Sequence, residues 1–384
     1  MTSLAPARTP AHAPRARSPL RRLIQPLVAP AVFDFWASRV NPTWTWERCL
    51  ARVVSRSEAS SDAVTLLLQP NRHFAGFAAG QHVNVGVEID GIRTTRSYSF
   101  SNAPRADGRI EITVKAIEGG RLSQYLCRTA QVGDVLDLGQ AFGGMHLPAT
   151  PGGRWLFLAA GSGITPLMAM VRGLAARDMP LPLTLLYWAR TREELCFAQE
   201  LRAIAAKHSG FDVRFLLTRQ VPAAGDESAG RIDSVSLDAL VDGLARRQVF
   251  ACGPGGFVET ARGLLAANVE SFQAEAFTPP PRAVLDGVPD GLLDGVRDTG
   301  SVRVTLATSG RTLTVPRGQS LLSALQAEGL SPPSGCRMGI CNTCSCGKRS
   351  GTTRHLHTGD TTDEPVSALK LCVSSAATDL VLDL

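Results

Sequence analysis

Between Arg48 and Ile117 the pattern of apolar and polar residues reads as short strands: Arg48 to Val54, Ala63 to Leu68, His82 to Ile89, Arg96 to Ser101 and Arg109 to Ile117. Turn pairs Asp90-Gly91 and Asp107-Gly108 break the run. Short strands separated by turn signals predict an antiparallel barrel or sandwich. From Arg154 the period changes. Continuous apolar runs (Trp155 to Ala160, Leu183 to Trp188, Val213 to Leu217, Val249 to Cys252) alternate with helical stretches such as Glu193 to Lys207 and Phe257 to Ala267. That alternation predicts a parallel, doubly wound sheet covered on both faces. Residues 278–300 open with Pro279-Pro280-Pro281 and continue with repeated Gly and Asp, a linker composition. A hairpin (Val302 to Leu306, Leu313 to Pro316), a helix near Ser320 to Glu328, a cysteine-rich loop and a last strand around Leu380 to Leu384 follow. The expected organisation is an N-terminal extension at 1–45, an antiparallel β-barrel at 46–150, an α/β domain at 151–277, the linker, and an α+β domain at 301–384.

Charge changes this picture at one end only. The 384 residues carry a net charge of +6, but residues 1–33 hold five arginines and no acid, leaving 35 basic against 34 acidic residues in the rest. The body is nearly neutral, and no segment reads as a groove-reading or base-stacking module, so nucleic acid is not an expected partner. Prolines at 6, 10, 14, 19, 26 and 30 exclude a long helix from the leader. Aromatic residues (Phe33, Phe35, Trp36, Trp44, Trp46) follow, suited to packing on the body or on a partner. The longest apolar stretch, Trp155 to Val171, is interrupted by Gly161, Gly163 and Pro166 and does not suit a bilayer span. With no secretory signal either, the expected location is the cytoplasm.

Cys336-Arg-Met-Gly-Ile-Cys341-Asn-Thr-Cys344 is a C-x4-C-x2-C run, and Cys372 follows after 27 intervening residues. This spacing resembles the plant-type [2Fe-2S] ferredoxins, which implies a β-grasp domain with Cys336, Cys341, Cys344 and Cys372 as cluster ligands. A tight loop brings three thiolates around two irons, Gly335 and Gly339 permit the close backbone approach, and a distant fourth thiolate closes the cage. The alternative is zinc on Cys336, Cys341, Cys344 and Cys346, although zinc favours paired C-x2-C units and one is present. The module carries eight basic and six acidic residues, Arg337 in the loop among them, unlike the typically acidic ferredoxins.

Upstream, Arg96-Ser97-Tyr98-Ser99 follows Gly80-Gln81-His82-Val83. Val114-Lys115 and then Gly119-Gly120-Arg121-Leu122-Ser123, which opens a helix, come next. Ala160-Gly161-Ser162-Gly163-Ile164-Thr165-Pro166 stands after the strand ending at Ala159, and Cys252-Gly253-Pro254 after the strand ending at Ala251. Helix N-termini and glycine turns of this kind accept diphosphates. Together these residues resemble the R-x-Y-S, G-x-x-S, G-x-G-I-T-P and C-G-P motifs of the ferredoxin-NADP reductase family, over about residues 47–384. The resemblance implies that Arg96 pairs the flavin diphosphate, Tyr98 covers the isoalloxazine and Ser99 reaches its N5 region. It implies that Lys115, Gly120, Arg121, Leu122 and Ser123 belong to a site for FAD rather than FMN. Gly161, Ser162, Gly163, Thr165, Gly253 and Pro254 would hold the nicotinamide nucleotide, with Cys252 beside its C4, so that Ser99, Thr165 and Cys252 frame the hydride transfer. Phe277 would shield the second flavin face, strand-end packing being its alternative.

Arg190 and Arg192, at the end of the second parallel strand, suit the 2'-phosphate of NADPH; Glu193 and Glu194 follow at once and keep NADH as the alternative. The three modules in order resemble single-chain reductases of bacterial oxygenase and fatty-acyl desaturase systems. That implies electron flow from NAD(P)H through FAD and the cluster to a protein acceptor, an oxygenase or desaturase, membrane-bound in some systems. The basic, tryptophan-containing N-terminus resembles the extension of reductases that serve acyl desaturases and implies peripheral membrane contact; an inert solvated leader is the alternative. Other acceptors, an aromatic-ring dioxygenase or a hybrid-cluster protein, stay open. A non-catalytic redox-sensing module is the remaining alternative, but a sensor needs no hydride port.

Overall fold

The computed structural model of the chain describes residues 29–277, 300–335, 337, 339, 342–356 and 359–384. The basic leader through residue 28 with its expected membrane contact, the linker segment 278–299, and Cys336 and Cys341 lie outside the described residues. The described residues fall into two compact units, divided between Arg48 and Cys49. In the first, α1 (Pro30–Val40) starts on a proline whose missing N–H costs a first helical turn nothing. The chain then folds back on this helix: the Trp46 N–H donates to the Asp34 carboxylate at 2.6 Å, and the rings of Phe33 and Trp46 meet edge to face at 5.3 Å.

The second unit begins with β1 (Leu50–Ser60), β2 (Ala63–Pro70), β3 (His82–Ile89), β4 (Ile92–Ser99), β5 (Ile110–Lys115), α2 (Arg121–Arg128) and β6 (Val135–Leu138). The strands form an antiparallel sheet in the order β4-β3-β6-β1-β2-β5. Its two edges meet where Phe100, just past β4, pairs with Ile112 on β5 and the Ser101 N–H donates to the Glu111 carbonyl at 2.8 Å. Closure removes the exposed edges and makes the sheet a barrel. Alternate residues such as Val53, Leu66, Leu68, Val83, Val85 and Ile112 fill it, and α2 adds Leu122 and Leu126 to the same core.

A parallel sheet follows, built from β7 (Arg154–Ala160), α3 (Ile164–Ala175), β8 (Leu183–Ala189), α4 (Ala198–Lys207), β9 (Phe211–Leu217), β10 (Glu227–Ala229), α5 (Ser234–Leu240), β11 (Arg247–Gly253), α6 (Gly255–Leu265) and β12 (Ser271–Ala276). The order is β10-β9-β8-β7-β11-β12, so the winding reverses at β7. Ligands bind open sheets of this kind beyond the carboxyl ends of the strands at such a reversal. Phe157, Leu185 and Phe215 fill a core on one face and Leu156, Leu186 and Leu216 one on the other, which is why the strands read as continuous apolar runs. The helix expected over Glu193 to Lys207 begins only at Ala198. Leu195 and Cys196 turn into the core, the Cys196 N–H donates to the Tyr187 hydroxyl at 3.2 Å, and Phe197 takes a left-handed φ of 60°.

The last module contains β13 (Ser301–Leu306), β14 (Thr312–Pro316), α7 (Leu321–Ala327), β15 (Ser345–Ser350), β16 (Thr353–His355), β17 (Thr361–Thr362), β18 (Val366–Lys370), β19 (Ser374–Ala376) and β20 (Leu380–Leu382). A mixed five-stranded sheet, β14-β13-β20-β15-β18, is joined by the small sheet β17-β16-β19, and α7 packs Leu321, Leu322 and Leu325 into the core. This is the β-grasp architecture. Among the described residues of the chain, no helix is long and apolar enough to cross a membrane.

Ion pairs join the barrel to the parallel sheet. Arg172 on α3 donates to the Ser101 carbonyl at 2.7 Å, pairs with Glu111 of β5, and reaches Glu200 of α4 at 2.7 Å. Lys115 at the end of β5 holds Asp62 at 2.9 Å and Glu194 at 2.7 Å. Replacing Arg172 with Met would leave Glu111, whose side chain is 18% exposed, without its cation. We expect a loss of about 2 kcal/mol or more in unfolding free energy, partly restored by adding Glu111→Gln. Chemical denaturation of the single and double variants checks this; an unchanged midpoint for Arg172→Met would contradict it.

Candidate functional site

A cavity of about 460 Å³ lies between the barrel and the parallel sheet. Its wall takes Arg96, Tyr98 and Ser99 from β4, Lys115 from β5, Gly120 to Ser123 from the start of α2, Ser162 from the turn after β7, Thr165 from the first turn of α3, and Phe277 from just beyond β12. The chain folds locally to make this wall. The Ser123 hydroxyl accepts from the Ile117 N–H at 3.2 Å and donates to the Gly120 carbonyl at 3.0 Å, pinning the turn that opens α2. A Cβ on Gly120 would meet the Ile117 carbonyl at 3.0 Å and crowd the Ser123 hydroxyl, so this backbone passes bare at the wall.

Arg96 is partly buried and donates to the Thr95 carbonyl at 2.8 Å; burial first, and then the neighbouring charge of Arg337, hold its pKa below the usual guanidinium value. Burial raises the Tyr98 phenol. Lys115 is held by its two carboxylates, and Arg121 pairs with Asp90 at 2.9 Å. Four cations, Arg96, Lys115, Arg121 and Arg337, therefore stand on a wall that among the described residues has Glu275 as its one carboxylate. A cavity of this size and sign, with a bare turn and a helix start in it, fits an anionic flavin dinucleotide.

At one end of the cavity a polar line crosses from barrel to sheet. Ser99 Oγ stands 2.9 Å from His82 Nδ1, and His82 Nε2 stands 2.5 Å from Glu275 Oε2. His82 is 5% exposed, with Phe142 and Phe277 edge-on to its ring, so the ring is shielded from water. Neither His82 nor Glu275 stands out in the sequence. His82 follows the Gly80-Gln81 pair and Glu275 precedes Phe277 by two, but the pairing across the two sheets has no local signal.

A second cavity, of about 720 Å³, opens at the carboxyl ends of the parallel strands. Gly161, Ser162, Arg190 and Pro254 line it with Trp188 and Phe257, and so do Arg219 after β9 and Arg231 after β10, two cations that motif reading missed. Arg192, expected here, is placed elsewhere: it grips the fully buried Glu227 side chain at 2.7 and 2.5 Å, and that bond first of all holds the Glu227 carboxyl down at about 2. Gly163 and Gly253 line neither cavity and serve close packing behind it, for a Cβ on Gly163 would fall on the Cys252 carbonyl. Cys252 is 0% exposed and also lines neither wall; burial pushes its thiol well up, with Glu275 adding to the effect.

In the β-grasp module, Cys344 and Cys372 are both buried. The Gly339 N–H donates to Cys372 Sγ at 3.2 Å, and Gly339 takes a φ of +75° where a Cβ would press on Val373 at 2.9 Å. A backbone N–H aimed at sulfur is what a cluster thiolate needs. Cys346 instead packs on β15, its thiol pushed up to about 12 chiefly by burial, and so behaves as a core residue. The cluster loop touches the barrel: the Asn84 amide donates to Thr343 Oγ1 at 2.8 Å, and Ser97 Oγ donates to Asn84 Oδ1 at 2.6 Å.

Residues 50–146 match the oxidoreductase FAD-binding domain, residues 157–263 the oxidoreductase NAD-binding domain, and residues 304–376 the 2Fe-2S iron-sulfur cluster binding domain. An NADPH oxidoreductase of Mycobacterium tuberculosis is 32% identical over 371 residues, covering 95% of this chain and 92% of that protein. The glycine betaine monooxygenase reductase subunit of Pseudomonas aeruginosa is 29% identical over 357 residues, 89% of this chain and 96% of that one. The solved structure of phthalate dioxygenase reductase shares the fold, with a TM-score of 0.59 at 24% identity over 87% of this chain and 97% of that chain. The protein is thus an oxidoreductase that uses NAD(P)H, FAD and a [2Fe-2S] cluster. The chain belongs to the ferredoxin-NADP reductase family, as a member that carries its own C-terminal ferredoxin domain.

Proposed function

We propose that this chain takes hydride from NADPH and delivers electrons singly, through FAD and its own cluster, to the oxygenase component of a multicomponent system. The observation that carries the reading is one cavity wall shared by Tyr98 and Ser99 of the barrel, Thr165 and Phe277 of the parallel sheet, and Arg337 of the cluster loop. An oxygenase acceptor is supported by the relative that serves as a glycine betaine monooxygenase reductase subunit. NADPH is supported by Arg190, Arg219 and Arg231 around the second cavity and by the relative named an NADPH oxidoreductase.

Bound FAD supplies the exchange between a two-electron hydride donor and a one-electron cluster. The protein's part is to bind, orient and move a proton. Arg96 and the start of α2 hold the diphosphate, Tyr98 and Phe277 close the cavity from opposite modules, and Thr165, its hydroxyl bonded to the Ser162 carbonyl at 2.9 Å, sets the edge of the nucleotide turn. Each hydride brings two electrons and one proton. The electrons leave for the acceptor, so the proton must leave as well: the His82 imidazole, 2.9 Å from Ser99 Oγ, takes it, and Glu275, whose side chain is 12% exposed, passes it to solvent.

Three outcomes test the reading. Cys344→Ser should bring NADPH-driven reduction of cytochrome c, a one-electron acceptor, to background while leaving reduction of a two-electron dye within about twofold; equal loss of both would sink the order of carriers. Arg219→Ala with Arg231→Ala should raise KM for NADPH about tenfold or more and leave NADH within about twofold, whereas equal shifts in the two steady-state titrations would remove the 2'-phosphate role. His82→Phe should slow turnover about a hundredfold and abolish the solvent deuterium isotope effect on it with FAD content unchanged. An unaltered isotope effect would deny His82 the proton.

A further inference from the structure

We propose that Arg337, in the cluster loop, is a second cation for the diphosphate of FAD, so that the cofactor itself fastens the ferredoxin domain to the barrel. The inference rests on FAD occupying the cavity at β4 and goes beyond it in making the cofactor a bridge between modules.

The argument starts from which cations already have partners. Lys115 and Arg121, both on the cavity wall, are neutralised by Asp62, Glu194 and Asp90. Arg96 and Arg337 are not. Among the described residues Arg96 bonds only the Thr95 carbonyl at 2.8 Å, and Arg337 only the neutral side-chain oxygen of Gln326 at 3.2 Å. Neither has a carboxylate within ion-pair distance among those residues, yet both face one cavity and repel each other across it. Arg337 also holds a left-handed φ of 59°, which a side chain other than glycine rarely adopts, so its position on this wall is imposed by the loop. Two like charges from different modules, unpaired and converging on one space, are complementary to an anion between them. A dinucleotide diphosphate carries two negative charges and binds two planar guanidinium forks well.

A neutral bond adds to the contact. Asn84 bonds Thr343 at 2.8 Å beside Cys344, which positions the loop without discriminating between a filled and an empty flavin site. The charge on Arg337 would make that discrimination. By linkage, whatever FAD adds to docking of the ferredoxin domain, docking adds equally to FAD affinity. Arg337, one of the module's eight basic residues, then has a use inside the molecule, since the cavity it faces gains two negative charges when the cofactor binds.

The test uses full-length protein with its cluster intact and its flavin removed. Arg337→Ala should raise the dissociation constant for FAD about tenfold or more, read by flavin fluorescence, while Arg337→Lys stays within about threefold of the unaltered protein. Riboflavin, which has no phosphate, should bind all three proteins alike. Hydrogen exchange in residues 342–345 should slow on adding FAD, not on adding riboflavin, and Arg337→Ala should lose that protection. Unchanged FAD affinity in Arg337→Ala, or equal losses for FAD and riboflavin with the cluster spectrum intact, would overturn the proposal. Failure of the unaltered protein to bind FAD would instead overturn the cofactor reading beneath it.

Discussion

The contact between the barrel and the parallel sheet is the constraint on which the rest depends. Neither module alone makes the cavity proposed for the flavin, because Tyr98 and Ser99 stand on one and Thr165, Glu275 and Phe277 on the other. That contact combines apolar packing, with Ala63 and Met145 in one core with Leu167 and Met170, and ion pairs. Arg172 reaches Ser101, Glu111 and Glu200 from α3, and Lys115 is shared between Asp62 and Glu194. Partly buried pairs of this kind are directional, and losing one partner leaves the other charge stranded, so they favour one register of the two modules over its neighbours. The register matters at short range, since His82 of the barrel and Glu275 of the parallel sheet approach to 2.5 Å across the same seam.

Much of the fold was legible because its periods are clean. The barrel strands alternate, the parallel strands are apolar on both faces, and the turn pairs separate them. Where the reading slipped, tertiary burial had overridden local pattern: Leu195 and Cys196 look helical beside Ala198 to Lys207, but the core takes both side chains and delays the helix. Short strands such as β10, β16, β17 and β19 leave too few residues for any period to register.

The site divides in the same way. Motifs that need special backbone, such as Gly120 beside Ser123 or Gly163 against Cys252, are visible in sequence because glycine marks them. Charge partnership is not visible. Arg190 and Arg192 look equivalent two residues apart, yet Arg190 lines the nucleotide cavity while Arg192 neutralises Glu227. Arg219 and Arg231 reach that cavity from other strand ends, and His82 meets Glu275 from the opposite module. Such pairings are properties of topology, which brings strand ends together wherever the sheet reverses.

The overall charge takes on a divided meaning. Five of the six net positive charges sit in the leader, and the electron-transfer body is close to neutral, but that body keeps Arg96 and Arg337 where a dinucleotide's diphosphate fits. The central claim is that FAD is the obligatory stop between NADPH and the cluster. The direct measurement is electron paramagnetic resonance of the cluster after anaerobic addition of NADPH to FAD-replete and FAD-stripped protein. The reduced [2Fe-2S] signal should appear in the first, be absent from the second, and return when FAD is restored. A cluster reduced by NADPH without FAD, or one that stays oxidised with FAD bound and NADPH in excess, would contradict the account.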